Sequence, residues 1–282
     1  MSHHPLAQTL QRARALSDYL NAELGPPSGT GWVAADGALR PAAPLLSQLA
    51  AATRSRLRTT GATTVASAMV QSYQWPLISI AIACFLLDQR VPDVSVANTW
   101  LHYNGENEAD GLALRVGTFR ALPDDPAASH PDAVVVPDMA ALREALRSGL
   151  EQHLAQVISQ LCTGLGCKPR GLWLNVSDTC ASTLVWLLQE QDKTITTAQI
   201  EHELDALIQV PGSPLATNKI GLIPLTYLDM RQVFLERATC CYWYKTEGGD
   251  YCSTCPHRTP DDRKERLLHS MAEQYATSVG QE

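Results

Sequence analysis

The sequence predicts an α+β fold, a mainly helical domain with a small antiparallel sheet followed by a short C-terminal subdomain rich in cysteine. Three observations lead there. Apolar residues recur at helical spacing over most of the 282 residues. Between residues 95 and 120 the period shortens to that of strands. Four of the eight cysteines fall together in "CCYWYKTEGGDYCSTC", residues 240–255.

Taken in order, residues 5–24 place Leu6, Leu10, Ala13, Leu16, Leu20 and Leu24 on one helical face, and "GPPSGTG" at 25–31 ends that helix in a loop. Its glycines form no phosphate or dinucleotide loop, because no strand precedes them and no GK[ST] follows. A second helix is expected from Ala43 to Arg58. Residues 59–87 carry no charged side chain, but the dense part, "WPLISIAIACFLL", is too short for the ~20 apolar residues of a membrane span. A buried core helix with Pro76 in its first turn is expected instead, preceded by another helix. "VSVANTWLHYNG" and "GLALRVGTFRAL" read as an antiparallel hairpin, and "DAVVV" as a third strand.

From Asp138 the pattern returns to helix. In "LWLNVSDTCASTLVWLLQE" a turn is expected, with Ser177 or Asp178 capping a helix that runs to Glu190. Thr197–Gln209 reads as another helix, "QVFLERATCC" as a strand leading to the cysteines, and residues after Arg258 as a polar helix that frays.

The charge count is 22 basic against 29 acidic residues, which argues against generic nucleic-acid binding. The N-terminus, Met1-Ser2-His3-His4-Pro5, has neither the basic region nor the apolar run of a secretory signal. Clustered cysteines without secretion point to metal rather than disulfides. Four thiolates suit zinc or an iron–sulfur cluster. Adjacent Cys240 and Cys241 would point to opposite sides of a regular strand, so the backbone must kink for both to bind. Spacing alone leaves zinc and a two-iron cluster evenly matched.

The order Cys-Cys, ten residues, Cys, two residues, Cys resembles the signature of the FhuF-like ferric-siderophore reductases. Arg237-Ala238-Thr239 is similar to that family's lead-in, and "WPLISIAIACFLL" and "LWLNVSDTCASTLVWLL" are similar to its two main blocks. The polar tail is longer, and "CYWYKT" more aromatic, than the signature requires. The resemblance implies a [2Fe–2S] cluster on Cys240, Cys241, Cys252 and Cys255. It implies three parts: a siderophore-binding helical domain over 1–230, a cluster subdomain over 231–258 and a polar helical tail over 259–282.

One-electron reduction suits such a substrate, because the oxygen donors of a siderophore hold Fe(II) far more weakly than Fe(III). The electron would come from an external flavoprotein or ferredoxin in the cytoplasm, since no flavin or nicotinamide motif is present. No GxSxG or paired histidine supports hydrolase chemistry. Two other readings stand beside this one: a non-enzymatic module with structural zinc, and an electron-transfer protein with another partner.

Around the cysteines, Trp243 and Tyr244 offer flat faces to a siderophore. Asn175 stands at the expected helix start near Thr179, whose free N–H groups would suit an oxygen-rich ligand. Arg237, Lys245 and Arg258 could offset cluster charge, and His257 could exchange a proton with cluster reduction. His102, His153 and His202 read as single structural or surface histidines. Cys84 and Cys180 read as small hydrophobes. Cys162 and Cys167 flank "TGLG" at a helix end, with no CxxC to complete a site.

Overall fold

A computed structural model describes residues 4–38 and 44–279. Helix α1 (Pro5–Leu16) is followed by strands β1 (Ala22–Leu24) and β2 (Trp32–Ala34), a single turn α2 (Ala35–Ala38), and helices α3 (Pro44–Leu57) and α4 (Ala62–Asp88). Short strands follow: β3 (Val91–Pro92), β4 (Thr99–Tyr103), β5 (Ala109–Leu114), β6 (Phe119–Ala121) and β7 (Ala133–Val135). Helices α5 (Met139–Leu165), α6 (Pro169–Gln191) and α7 (Thr197–Leu207) come next. The hairpin β8 (Gly221–Tyr227)–β9 (Met230–Glu236) and helix α8 (Pro260–Val279) close the chain.

The expected hairpin is β4–β5, antiparallel with Leu101 opposite Leu112. It lies in a mixed four-stranded sheet of order β1-β5-β4-β2, in which β1 runs parallel to β5. The leucines at 20 and 24 therefore do not extend α1. Ser17 leaves the helix in an extended conformation, and pairing with β5 claims residues 22–24. "DAVVV" supplies β7, but in a second sheet, parallel to β6. Ala43, the expected start of the second helix, and the last residues of the tail, 280–282, lie outside the described residues.

Two helices depart from the sequence reading for one reason, burial. Helix α4 runs unbroken through Pro76, although an interior proline costs roughly 3 kcal/mol. Its middle is packed on all sides, from Leu77 through Cys84 at 1% exposure or less, and that packing outweighs the lost hydrogen bond. It is long and apolar enough to cross a membrane, and 72% of its apolar window is buried inside the protein. Helix α6 begins at Pro169, so Ser177 and Asp178 cap nothing. Ser177 donates instead to the carbonyls of Trp173 and Leu215, at 3.0 and 2.8 Å.

The α4–α5 contact encloses His153. Its Nδ1–H donates to the Val94 carbonyl at 2.6 Å, so Nε2 accepts from the Tyr73 hydroxyl at 2.7 Å. Burial pushes the imidazole pKa down to about 4 from 6.5, against the pull of the Val94 carbonyl. The unfolded chain therefore binds a proton through this window that the native state refuses, and stability falls as pH drops from 6.5 to 4. His153 should account for on the order of 3 kcal/mol of that loss. Urea unfolding of wild type and His153→Gln at pH 7.5 and pH 5 checks it. The variant should be weaker at pH 7.5 but show a flatter pH dependence, and an unchanged slope would assign the effect elsewhere.

Candidate metal centre

Strand β9 and helix α6 run antiparallel and are joined at two points. The Gln189 side chain pairs with both backbone groups of Val233, accepting from its N–H at 2.7 Å and donating to its carbonyl at 3.0 Å. Eleven residues earlier on α6, the Asp178 carboxylate accepts from the N–H of Ala238 at 2.6 Å and of Thr239 at 3.1 Å. Eleven helical residues rise about 16.5 Å, and the five strand residues from 233 to 238 span about the same. The two spacings match, so the strand lies along the helix and delivers residue 240 at a fixed place.

Asp178 is only 3% exposed, and its third partner is the Arg237 guanidinium at 3.3 Å. Burial pushes the Asp178 carboxyl up despite Arg237 and the two N–H groups, which pull it down. Burial works against the Arg237 charge too, but Asp178 and the sulfurs of Cys241 and Cys252 more than offset it and hold its pKa high. The other side of Arg237 reaches the Cys252 sulfur at 4.0 Å.

The chain kinks at the adjacent cysteines, as their opposite directions on a strand require. Tyr242 takes a left-handed conformation with φ 61°, and its N–H turns back to the Cys240 sulfur at 3.3 Å. A 3-10 turn (Trp243–Lys245) follows, and Gly249 passes so close to it that a Cβ would meet the Trp243 carbonyl at 2.0 Å. Only glycine allows that return. Two arginines then hold the CxxC carbonyls. Arg258 donates to Cys252 O at 3.0 Å and to Tyr251 O; Arg263 donates to Cys255 O at 3.4 Å and to Glu236. The tail is thus fastened to the centre, and Leu267 and Met271 of α8 pack on Leu225 of β8.

The sulfurs form a chain of neighbours. Cys240 and Cys255 are 4.0 Å apart, and Cys241 neighbours both Cys240 and Cys252. The interactions among these sulfurs hold Cys241 far below the usual thiol range and push Cys240 and Cys252 above it, with burial adding to the latter two. Among the described residues no three cysteine sulfurs come within 4.8 Å of one another. A single tetrahedral zinc with ~2.3 Å bonds would draw all four together. An extended chain of four donors, with Arg237 and backbone N–H groups beside it, fits a two-iron cluster better.

Residues 67–220, more than half of the chain, match the family model of the ferric iron reductase FhuF-like transporter. Residues 237–257 match the FhuF 2Fe-2S C-terminal domain. The chain belongs to the FhuF-like family. The cofactor of its C-terminal domain is a [2Fe–2S] cluster, and all four clustered cysteines lie inside the matched segment. No curated protein matches the chain.

A cavity of about 990 Å³ opens beside the centre, and Cys241 and Trp243 form part of its wall. Helix α4 contributes Gln71, Ser72 and Trp75, helix α6 contributes Thr179, Trp186 and Gln189, and β9 contributes Arg231 and Gln232. The Trp75 and Trp186 rings stack 6.4 Å apart. Most wall charges are already paired: Arg56 with Glu108 at 2.7 Å, Lys193 with Glu190 at 2.8 Å, and Arg237 with Asp178.

The other expected residues fall elsewhere. Tyr244 packs with Tyr251 and His257, at 4.7 and 5.5 Å between ring centres, outside the cavity lining. Lys245 lies over Tyr242 at 5.1 Å. Asn175 is 1% exposed and donates to Ser67 at 2.9 Å, deep between α4 and α6. No helix begins near Thr179, so the N–H groups expected there are spent inside α6.

Sequence reasoning missed Asp178, Gln189 and the tryptophan pair. A carboxylate inside an apolar helix was the available signal, because a buried charge requires partners.

Asp178→Ala should leave Arg237 and two N–H groups unpaired, at roughly 3–5 kcal/mol. Iron and sulfide per chain should fall sharply, while Asp178→Asn, which keeps one acceptor oxygen, retains more. Full loading in the alanine variant would contradict the anchoring role. Replacing Cys241 by Ser should abolish the normal cluster spectrum, whereas Cys84→Ser should leave it intact.

Proposed function

We propose that the protein is a ferric-siderophore reductase that binds the ferric complex in the cavity beside Cys241 and Trp243. The observation that carries this reading is the shared wall: a ligand-binding site for one molecule of this size is typically 300–1,000 Å³, and this one adjoins the cluster loop. Cys240, Cys241, Cys252 and Cys255 would hold the [2Fe–2S] cluster, which supplies one electron when bound.

The chain's own residues do the rest. The indole of Trp243, 48% exposed, and the Trp75–Trp186 pair offer flat apolar faces to the ligand frame. The amides of Gln71 and Gln232 and the hydroxyls of Ser182 and Thr254 can meet its oxygens. A wall whose charges are mostly paired favours a ferric complex of low net charge. Asp178 and Arg237 belong both to the wall and to the anchor of the cysteine loop, so they fix the distance between the two. Reduction lowers the hold of hard oxygen donors on the iron, which is how release follows. The reading places the reaction in the cytoplasm, where a reducing environment keeps thiolates available, with a flavoprotein or ferredoxin as electron donor.

Trp243→Ala tests the pocket. Reductase turnover with a ferric siderophore and an Fe(II)-trapping chelator should fall ~10-fold, on the order of the ~1.4 kcal/mol of a ring contact, with an unchanged visible spectrum. A native spectrum with full turnover would remove Trp243 from the site. A bleached spectrum would make its role protection of the cluster.

A further inference from the structure

Two cysteines belong neither to the metal centre nor to the deep core. Cys84 and Cys180 are wholly buried, and burial pushes both thiols up to about 12. Cys162 and Cys167 are different. They are half-buried at the corner between α5 and α6, with Thr163, Gly164, Gly166 and Lys168 exposed around them. Neither lines the cavity beside the metal centre.

Local geometry brings the pair together. Cys162 lies in the last turn of α5, and Gly166 caps that helix with φ 70° and ψ 30°, its N–H donating to the Cys162 carbonyl at 2.9 Å. That left-handed turn folds the chain back, so Cys167 returns onto the turn it has just left. The two sulfurs are 2.9 Å apart, much closer than Cys240 and Cys255 in the metal centre. A disulfide needs about 2.05 Å, so the remaining approach is under roughly 1 Å.

We propose that Cys162 and Cys167 are a redox-active dithiol, a thiol–disulfide exchange site whose oxidant is a small-molecule disulfide. The Cys167 thiolate attacks one sulfur of the disulfide, forming a mixed disulfide and releasing one thiolate, which takes up the proton Cys167 has lost. Cys162 then loses its proton and attacks the Cys167 sulfur, forming the internal bond and releasing the second thiol. Two protein thiols lose two electrons and two protons, and the small disulfide becomes two thiols. Burial, and then the contact with Cys167, keep the Cys162 thiol protonated with a pKa of about 12. This suits the second, resolving position better than the first. The oxidised form ties the end of α5 to the entry of α6, whose first residue, Pro169, is two positions on.

The test uses the cluster-loaded protein, held without oxygen in excess oxidised glutathione, quenched in acid, alkylated and digested with trypsin. Cleavage does not occur before Pro169, so both cysteines fall in peptide 148–170, which contains no other. The peptide should be unalkylated and two hydrogens lighter, and a dithiol reductant should restore two alkylatable thiols. In Cys162→Ser, or Cys162→Ala if the first folds poorly, the peptide should instead carry glutathione on Cys167. Two alkylated thiols in the treated wild type, or stable glutathione adducts without the internal bond, would overturn the proposal. Absence of an adduct on Cys167 in the variants would overturn the order of attack.

Discussion

A single buried carboxylate sets the relation between the two halves of this protein. Asp178 projects from the middle of α6 into a place with almost no water, where it meets the Arg237 guanidinium and two backbone N–H groups. An unpaired carboxylate there would be strongly unfavourable, so the chain after β9 must pass that point and in that conformation. Gln189 fixes the strand one span further along the same helix. Between them, the first two cysteines are held against the helical domain instead of swinging on a loop.

The same contact explains why the cavity and the cysteines are neighbours. Helices α4 and α6 form one wall and β9 another, and the residues that clamp β9 to α6 are themselves part of the lining. On the far side, Arg258 and Arg263 bind the carbonyls of the CxxC turn to α8. Positive charge therefore meets the cysteine loop on two sides: Arg237, held by Asp178, reaches the Cys252 sulfur, and Arg258 and Arg263 hold its backbone carbonyls. A four-thiolate centre carries negative charge, and N–H groups near sulfur raise its readiness to accept an electron. The fold supplies those groups mainly through backbone geometry.

What could be read from the sequence follows from how local each signal is. The four cysteines, the kink after Cys241 and the β4–β5 hairpin rest on neighbours in the chain, and each is present in the structure. Pro76 and Ser177-Asp178 carry equally plain local signals for a helix start, and both misled. In each case a long helix is held by packing against distant elements, which overrides the preference of one or two residues. Asn175 was drawn into the site by that false helix start, and its burial against Ser67 removes it from the lining. Asp178 was visible only as a charge out of place in an apolar helix. Its partners lie about sixty residues away, so no local pattern names them.

The proximity of bound ligand and cluster can be measured directly. A siderophore loaded with Cr(III) has the charge and oxygen coordination of the ferric complex but does not accept the electron. Its unpaired spins should shorten the relaxation of the reduced cluster, seen as a broadened paramagnetic resonance signal that needs higher microwave power to saturate. The account predicts that change upon binding, and its absence with a diamagnetic Ga(III) complex. An unaltered signal in a sample where dialysis shows the Cr(III) complex bound would place the ligand away from the cluster and contradict the account.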